Sequence, residues 1–178
     1  MRTLCRSLAF GLLSAASGPL LAAGAHVHGL VTVDIAIDGP ALVVQVDAPL
    51  DSLVGFEHRP RTAAQRQAAD AAIARLKNSV GIVRLDAAAK CEPTDTRVQA
   101  EALQPVPPGS TAPATGEHAD LQASYSFRCA APEQLKAVDL ALFEAFARIQ
   151  RIEVQVAGAK GQTRVVLRRP ASKVALTR

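Results

Sequence analysis

Between Leu30 and Val46 the chain alternates apolar and polar residues with a period of two, a pattern that forces a β-hairpin. Val31, Val33, Ile35 and Ile37 fall on one side, and Leu30, Thr32, Asp34 and Ala36 on the other. Successive strand side chains point to opposite faces, so the first set must be buried against a core. Asp38-Gly39 marks the turn, Leu42-Val43-Val44-Gln45-Val46 returns as a second strand, and Pro49 ends it.

The remaining segments extend this plan. Leu50 to Val54 suits one short helical turn. Thr62-Ala-Ala-Gln65 fits a capping box, in which a hydroxyl accepts a backbone N–H and a glutamine three residues later reaches back. A helix from there to about Asn78 would carry Ala69, Ile73, Leu76 and Val80 on one stripe covering a sheet. Short or weak strands are expected at Val83 to Leu85, Thr94 to Leu103 and Val174 to Leu176. From Leu121, Ala123, Tyr125 and Phe127 share one face of an extended strand. Pro132 to Lys136 suits a brief helix, and Val138 to Phe146 mixes strand alternation with a helical turn. Ile152 to Val156 and Thr163 to Leu167 flank the turn Gly158-Ala-Lys-Gly161. Residues 104–116 hold four prolines and read as a mobile, exposed loop. The expected class is α+β: a mainly antiparallel sheet of hairpins with one substantial covering helix and one Pro/Gly-rich loop.

The ends place this domain in a compartment. Arg2 and Arg6, the apolar stretch Leu8 to Leu21 and Ala23-Gly24-Ala25 have the three parts of an export signal, with cleavage expected before His26. Residues 26–178 then form one periplasmic domain with no membrane insertion after cleavage, and Cys5 departs with the signal. The two remaining cysteines, Cys91 and Cys129, suit a disulfide in an oxidising compartment. A thiol pair serving a metal or redox role would favour C-x-x-C spacing, which is absent. The formal charge is only +4, its Lys and Arg residues are dispersed, and aromatics make up 3% of the chain. That combination argues against nucleic-acid binding, which favours a clustered basic face with stacking aromatics. Without a G-x-S-x-G elbow, a phosphate-cradling glycine loop or paired carboxylates in an apolar setting, the chain is not expected to be an enzyme.

The four histidines carry the strongest chemical signal. His26 and His28 lie in Ala25-His-Val-His-Gly29, His58 closes Gly55-Phe-Glu-His58, and His118 precedes Asp120 by two residues. Imidazole is the commonest metal-ligating side chain. On an extended segment His26 and His28 would point the same way. His118 and Asp120 repeat that spacing with a carboxylate, a donor pair that Zn²⁺ accepts. A mature amino terminus at His26 would also place an α-amine and two imidazoles together, a nitrogen set suited to Cu(II) or Ni(II). His58 has a competing role, since a ring N–H can fix a turn.

Ala25-His-Val-His-Gly29, Gly55-Phe-Glu-His58-x-Pro60, Cys91, His118-Ala-Asp120, Phe127-x-Cys129 and Gly161-Gln162, taken in order, resemble the ZrgA-like family of periplasmic zinc-binding proteins. The resemblance spans nearly the whole of residues 26–178. It implies an exported polypeptide without an organic cofactor that binds zinc and assists its acquisition or buffering. His26, His28, His58, His118 and Asp120 would be metal ligands, and Cys91 with Cys129 the bridge. Many members carry a His- and Asp-rich tract where this chain has its histidine-free 104–116 loop, so a single zinc site replaces a multi-zinc sponge. A non-metal adaptor for an envelope transporter component and an amino-terminal copper or nickel binder stand as alternatives.

Overall fold

The alternation at the start of the chain becomes the centre of a large sheet. The computed structural model describes residues 27–103 and 119–176. Strands β1 (Leu30–Asp38) and β2 (Ala41–Pro49) pair antiparallel, with Gly39 at a φ of 52° in the turn. Val31, Val33 and Ile35 are buried, as are Leu42, Val44 and Val46 opposite them. Helix α1 (Leu50–Val54) follows directly and stops at Gly55, whose φ of 85° is the left-handed conformation that glycine adopts without strain.

Helix α2 (Ala63–Lys77) opens with the expected capping box: Gln65 N–H donates to Thr62 Oγ1 at 3.1 Å, and Thr62 N–H to Gln65 Oε1 at 3.3 Å. Its buried face is Ala69, Ala72 and Leu76. The expected stripe fails at its end, since Val80 is 59% exposed. Asn78 breaks the helix and caps α3 (Ser79–Ile82) by accepting from Gly81 N–H at 3.2 Å. The chain is thereby redirected, and Ile82 takes the buried place that Val80 would have filled.

Strand β3 (Val83–Leu85) leads through a short 3-10 turn at Ala87–Ala89 to β4 (Cys91–Gln99). The strand expected to reach Leu103 ends at Gln99, because Glu101–Leu103 tighten into another 3-10 turn that buries Ala102. The 104–116 loop lies outside the described residues. Strand β5 (Asp120–Cys129) buries Leu121, Ala123, Tyr125 and Phe127. Residues Pro132–Gln134 form a 3-10 turn, and the ambiguous stretch after them resolves into β6 (Ala137–Leu140) followed by α4 (Leu142–Ala145). The last strands are β7 (Arg151–Gly158), β8 (Gly161–Arg168) and β9 (Lys173–Ala175).

Among the described residues two sheets result, with orders β4-β5-β2-β1-β7-β8 and β3-β6-β9. All pairings are antiparallel except β1 with β7, which joins the two hairpins in parallel. Apolar side chains of the large sheet, α2 and the small sheet form one core. Tyr125 Oη donates to Leu76 O at 2.9 Å, fastening the end of α2 to β5. Burial pushes this phenol well above its usual titration range. Cys91 and Cys129 face each other across β4 and β5 and are joined by a disulfide with Cα atoms 3.8 Å apart. Among the described residues no helix is long and apolar enough to cross a membrane.

Candidate metal-binding site

The hairpin and α1 position a group of ionisable side chains at one end of the large sheet. Residues Val27 to Leu30 form a turn, in which Leu30 N–H donates to Val27 O at 3.0 Å. Gly29 sits at a φ of 78° and passes so close to Gln150 that a Cβ would meet that side chain at 3.0 Å. Its N–H donates to the buried Ser52 Oγ of α1 at 2.9 Å, and its carbonyl accepts from Gln150 and Arg151 N–H. These bonds hold the backbone of His28 over α1. From Val27 to Gly29 the described chain is this turn and not a continuation of the strand that begins at Leu30.

His28 Nε2 lies 3.2 Å from Glu57 Oε1, and His28 Nδ1 lies 3.9 Å from Asp51 Oδ2. The imidazole is 61% exposed, whereas the side chains of Asp51 and Glu57 are 17% and 15% exposed. An accessible nitrogen donor therefore stands over two recessed carboxylates. Arg148 sets the position of one of them: its Nη2 donates to Asp51 Oδ1 at 3.0 Å and its Nε to Asp51 O at 2.8 Å. The guanidinium passes over Gly55, where an added Cβ would come within 3.4 Å of it.

His58 follows Glu57 in the chain. Its Nδ1 lies 2.8 Å from Arg59 O, and its ring stacks on Phe56 with centroids 5.3 Å apart. A carbonyl only accepts, so this contact calls for a proton on Nδ1 and, in the neutral ring, leaves the lone pair on Nε2. That is the arrangement by which metal-ligating histidines are commonly oriented. The bond also serves the turn-fixing role open to this residue.

Asp120 begins β5 opposite Pro49 and is exposed, and Ala119 O accepts from Leu50 N–H at 2.9 Å. The start of β5 is thus tied to the start of α1, one residue before Asp51. His26 and His118 lie outside the described residues. Among the described residues, no group of three or more His, Cys, Asp or Glu side chains is arranged to hold a metal ion. Asp51 and Glu57 are the residues sequence reasoning missed as partners of His28. Glu57 carried a signal, its place inside Gly55-Phe-Glu-His58, while Asp51 carried only its position in a short helix.

Fold and site together define a class: a two-sheet α+β domain with a histidine–carboxylate corner at one end of the larger sheet. The chain belongs to the ZrgA family, since the family model described as ZrgA family zinc uptake protein matches residues 25–176. No curated protein matches the sequence.

Proposed function

We propose that this protein is a periplasmic zinc-binding accessory to zinc uptake, exported by residues 1–25, which captures the ion as cargo at the His28 corner. The observation that carries this reading is the 3.2 Å between His28 Nε2 and Glu57 Oε1. Ligands held at 2.0–2.1 Å around a tetrahedral zinc ion lie about 3.3 Å apart. The pair therefore needs little rearrangement to become two ligands of one ion. Zinc takes imidazole nitrogen and carboxylate oxygen together, and its arrival displaces protons from its ligands.

His58, with its Nε2 lone pair kept available by the Arg59 carbonyl, is the next donor in the chain. In this reading His26, His118 and Asp120 supply further donors, and Asp51 holds Arg148 beside the site as a positioning residue. The chemistry asked of the protein is capture and release, so no catalytic group is assigned and no organic cofactor is required. Delivery of the ion to an envelope transporter component is the partner role consistent with such capture.

Calorimetric titration of zinc into the purified protein tests the proposal. The expected result is one saturable site that His28→Ala and Glu57→Gln each weaken by about tenfold or more. Wild-type binding weaker than about 0.1 mM, a free energy under roughly 5.5 kcal/mol, contradicts it. Preference for Cu(II) or Ni(II), lost when the amino terminus is blocked, would transfer the role to the amino-terminal nitrogen set.

A further inference from the structure

The two edges of the large sheet differ. Edge strand β4 is protected: Pro93 lacks an N–H, the pairing register shifts between Pro93 and Asp95, and Asp95 and Arg97 form an ion pair at 2.9 Å. Proline, bulges and edge charges are the usual devices against strand addition. Edge strand β8 has neither proline nor register shift and pairs with β7 without interruption from Gly161 to Arg168. Among the described residues no tenth strand covers it.

Its register identifies what the edge displays. The hairpin closes over two residues between Gly158 and Gly161, a pair that exchanges hydrogen bonds in such a turn. Hydrogen-bonded and non-hydrogen-bonded pairs then alternate along an antiparallel ladder. Counting from the turn, the backbone groups of Gln162, Arg164, Val166 and Arg168 point away from β7. The side chains of Arg164, Val166 and Arg168 share the open face, and Val166 is 49% exposed.

Charge selects the occupant. From Arg151 to Arg168 the hairpin holds four cations, Arg151, Lys160, Arg164 and Arg168, against the single carboxylate of Glu153. Glu153 already pairs with both Arg151 and Arg164. A second copy of the chain, paired antiparallel so that Val166 meets Val166, would set Arg164 opposite the partner's Arg168, and like charges directly opposite destabilise a sheet. An acidic segment meets no such repulsion.

We propose that β8 is a docking edge for an extended acidic segment of a partner protein. The segment adds antiparallel as a seventh strand, with carboxylates opposite Arg164 and Arg168 and an apolar side chain opposite Val166. Backbone bonds provide the attachment and the two guanidinium groups the selectivity. This inference is independent of the zinc reading.

Fluorescence polarisation with a labelled glutamate–threonine–valine–threonine–glutamate peptide tests it. Saturable binding is expected, falling as salt rises. N-methylation of the valine, whose amide would face β8, should abolish binding, whereas N-methylation of the threonines should not. Arg168→Glu should weaken the acidic peptide about fivefold and admit a lysine-substituted one. That variant places Glu opposite Arg151 and is expected to remain folded, which circular dichroism checks. Absence of binding, equal binding of both methylated peptides, or a dimer of this chain that Val166→Lys abolishes would each overturn the proposal.

Discussion

The Tyr125 hydroxyl reaches 49 residues back along the chain to bond the carbonyl of Leu76, so the end of α2 and the middle of β5 are held by one buried contact. Tyr125→Phe keeps the ring and removes the donor, leaving a buried carbonyl short of a partner. The expected loss is about 1–2 kcal/mol, read as a lower urea midpoint at unchanged slope. Zinc affinity should not move, because neither residue touches the His28 corner.

The Cys91–Cys129 bridge closes a stretch of 38 residues across the β4–β5 ladder. Replacing both cysteines with serine should destabilise the protein by about 2–4 kcal/mol, chiefly by releasing the unfolded chain. Denaturation of wild type with and without reductant should show the same difference. Equal stability in the two conditions would mean that the ladder alone sets the pairing.

Asp86 gives the fold an acid-sensitive contact. Its Oδ2 accepts from Lys136 and Ala137 N–H at 2.7 and 2.9 Å, and these two bonds hold the carboxyl below its usual range. A carboxyl whose folded value is depressed adds stability above its unfolded value, lost as pH falls through the folded one. Asp86→Asn keeps an acceptor and removes the charge. Its destabilisation should therefore be constant near neutrality and shrink below about pH 4, as thermal melts across that range would show.

Gly55 matters to stability through its backbone. At a φ of 85° it ends α1, and an added Cβ would lie in ordinary contact, 3.4 Å, with the Arg148 guanidinium that bonds Asp51. Gly55→Ala should cost about 1–2 kcal/mol from the left-handed backbone. Zinc binding in calorimetry should stay unchanged, because the added Cβ makes only ordinary contact with the Arg148 guanidinium, and Gly39→Ala, at a turn with open space, should likewise leave it unchanged.

Local chemistry was written plainly in the chain. Val31, Val33 and Ile35 declare a buried face because strand alternation has no other use, and Thr62 with Gln65 declares a helix start because both side chains satisfy nearby backbone groups. The Val80 expectation fails for an equally local reason, since Asn78 captures Gly81 N–H and turns the chain. Long-range relations are different. Nothing in the spacing announces that β1 pairs in parallel with β7, or that α1 folds beneath Gly29. Without that fold-back, the distance between His28 and Glu57 cannot be read, and His28 stands out while its carboxylate partners do not.

The claim that zinc enters at His28 is tested most directly by following histidine ring ¹⁵N resonances during zinc addition. The account predicts that a His28 ring nitrogen shifts strongly at the first equivalent and that Glu57→Gln suppresses the shift. Tight zinc binding that leaves the His28 ring nitrogens unmoved would contradict it.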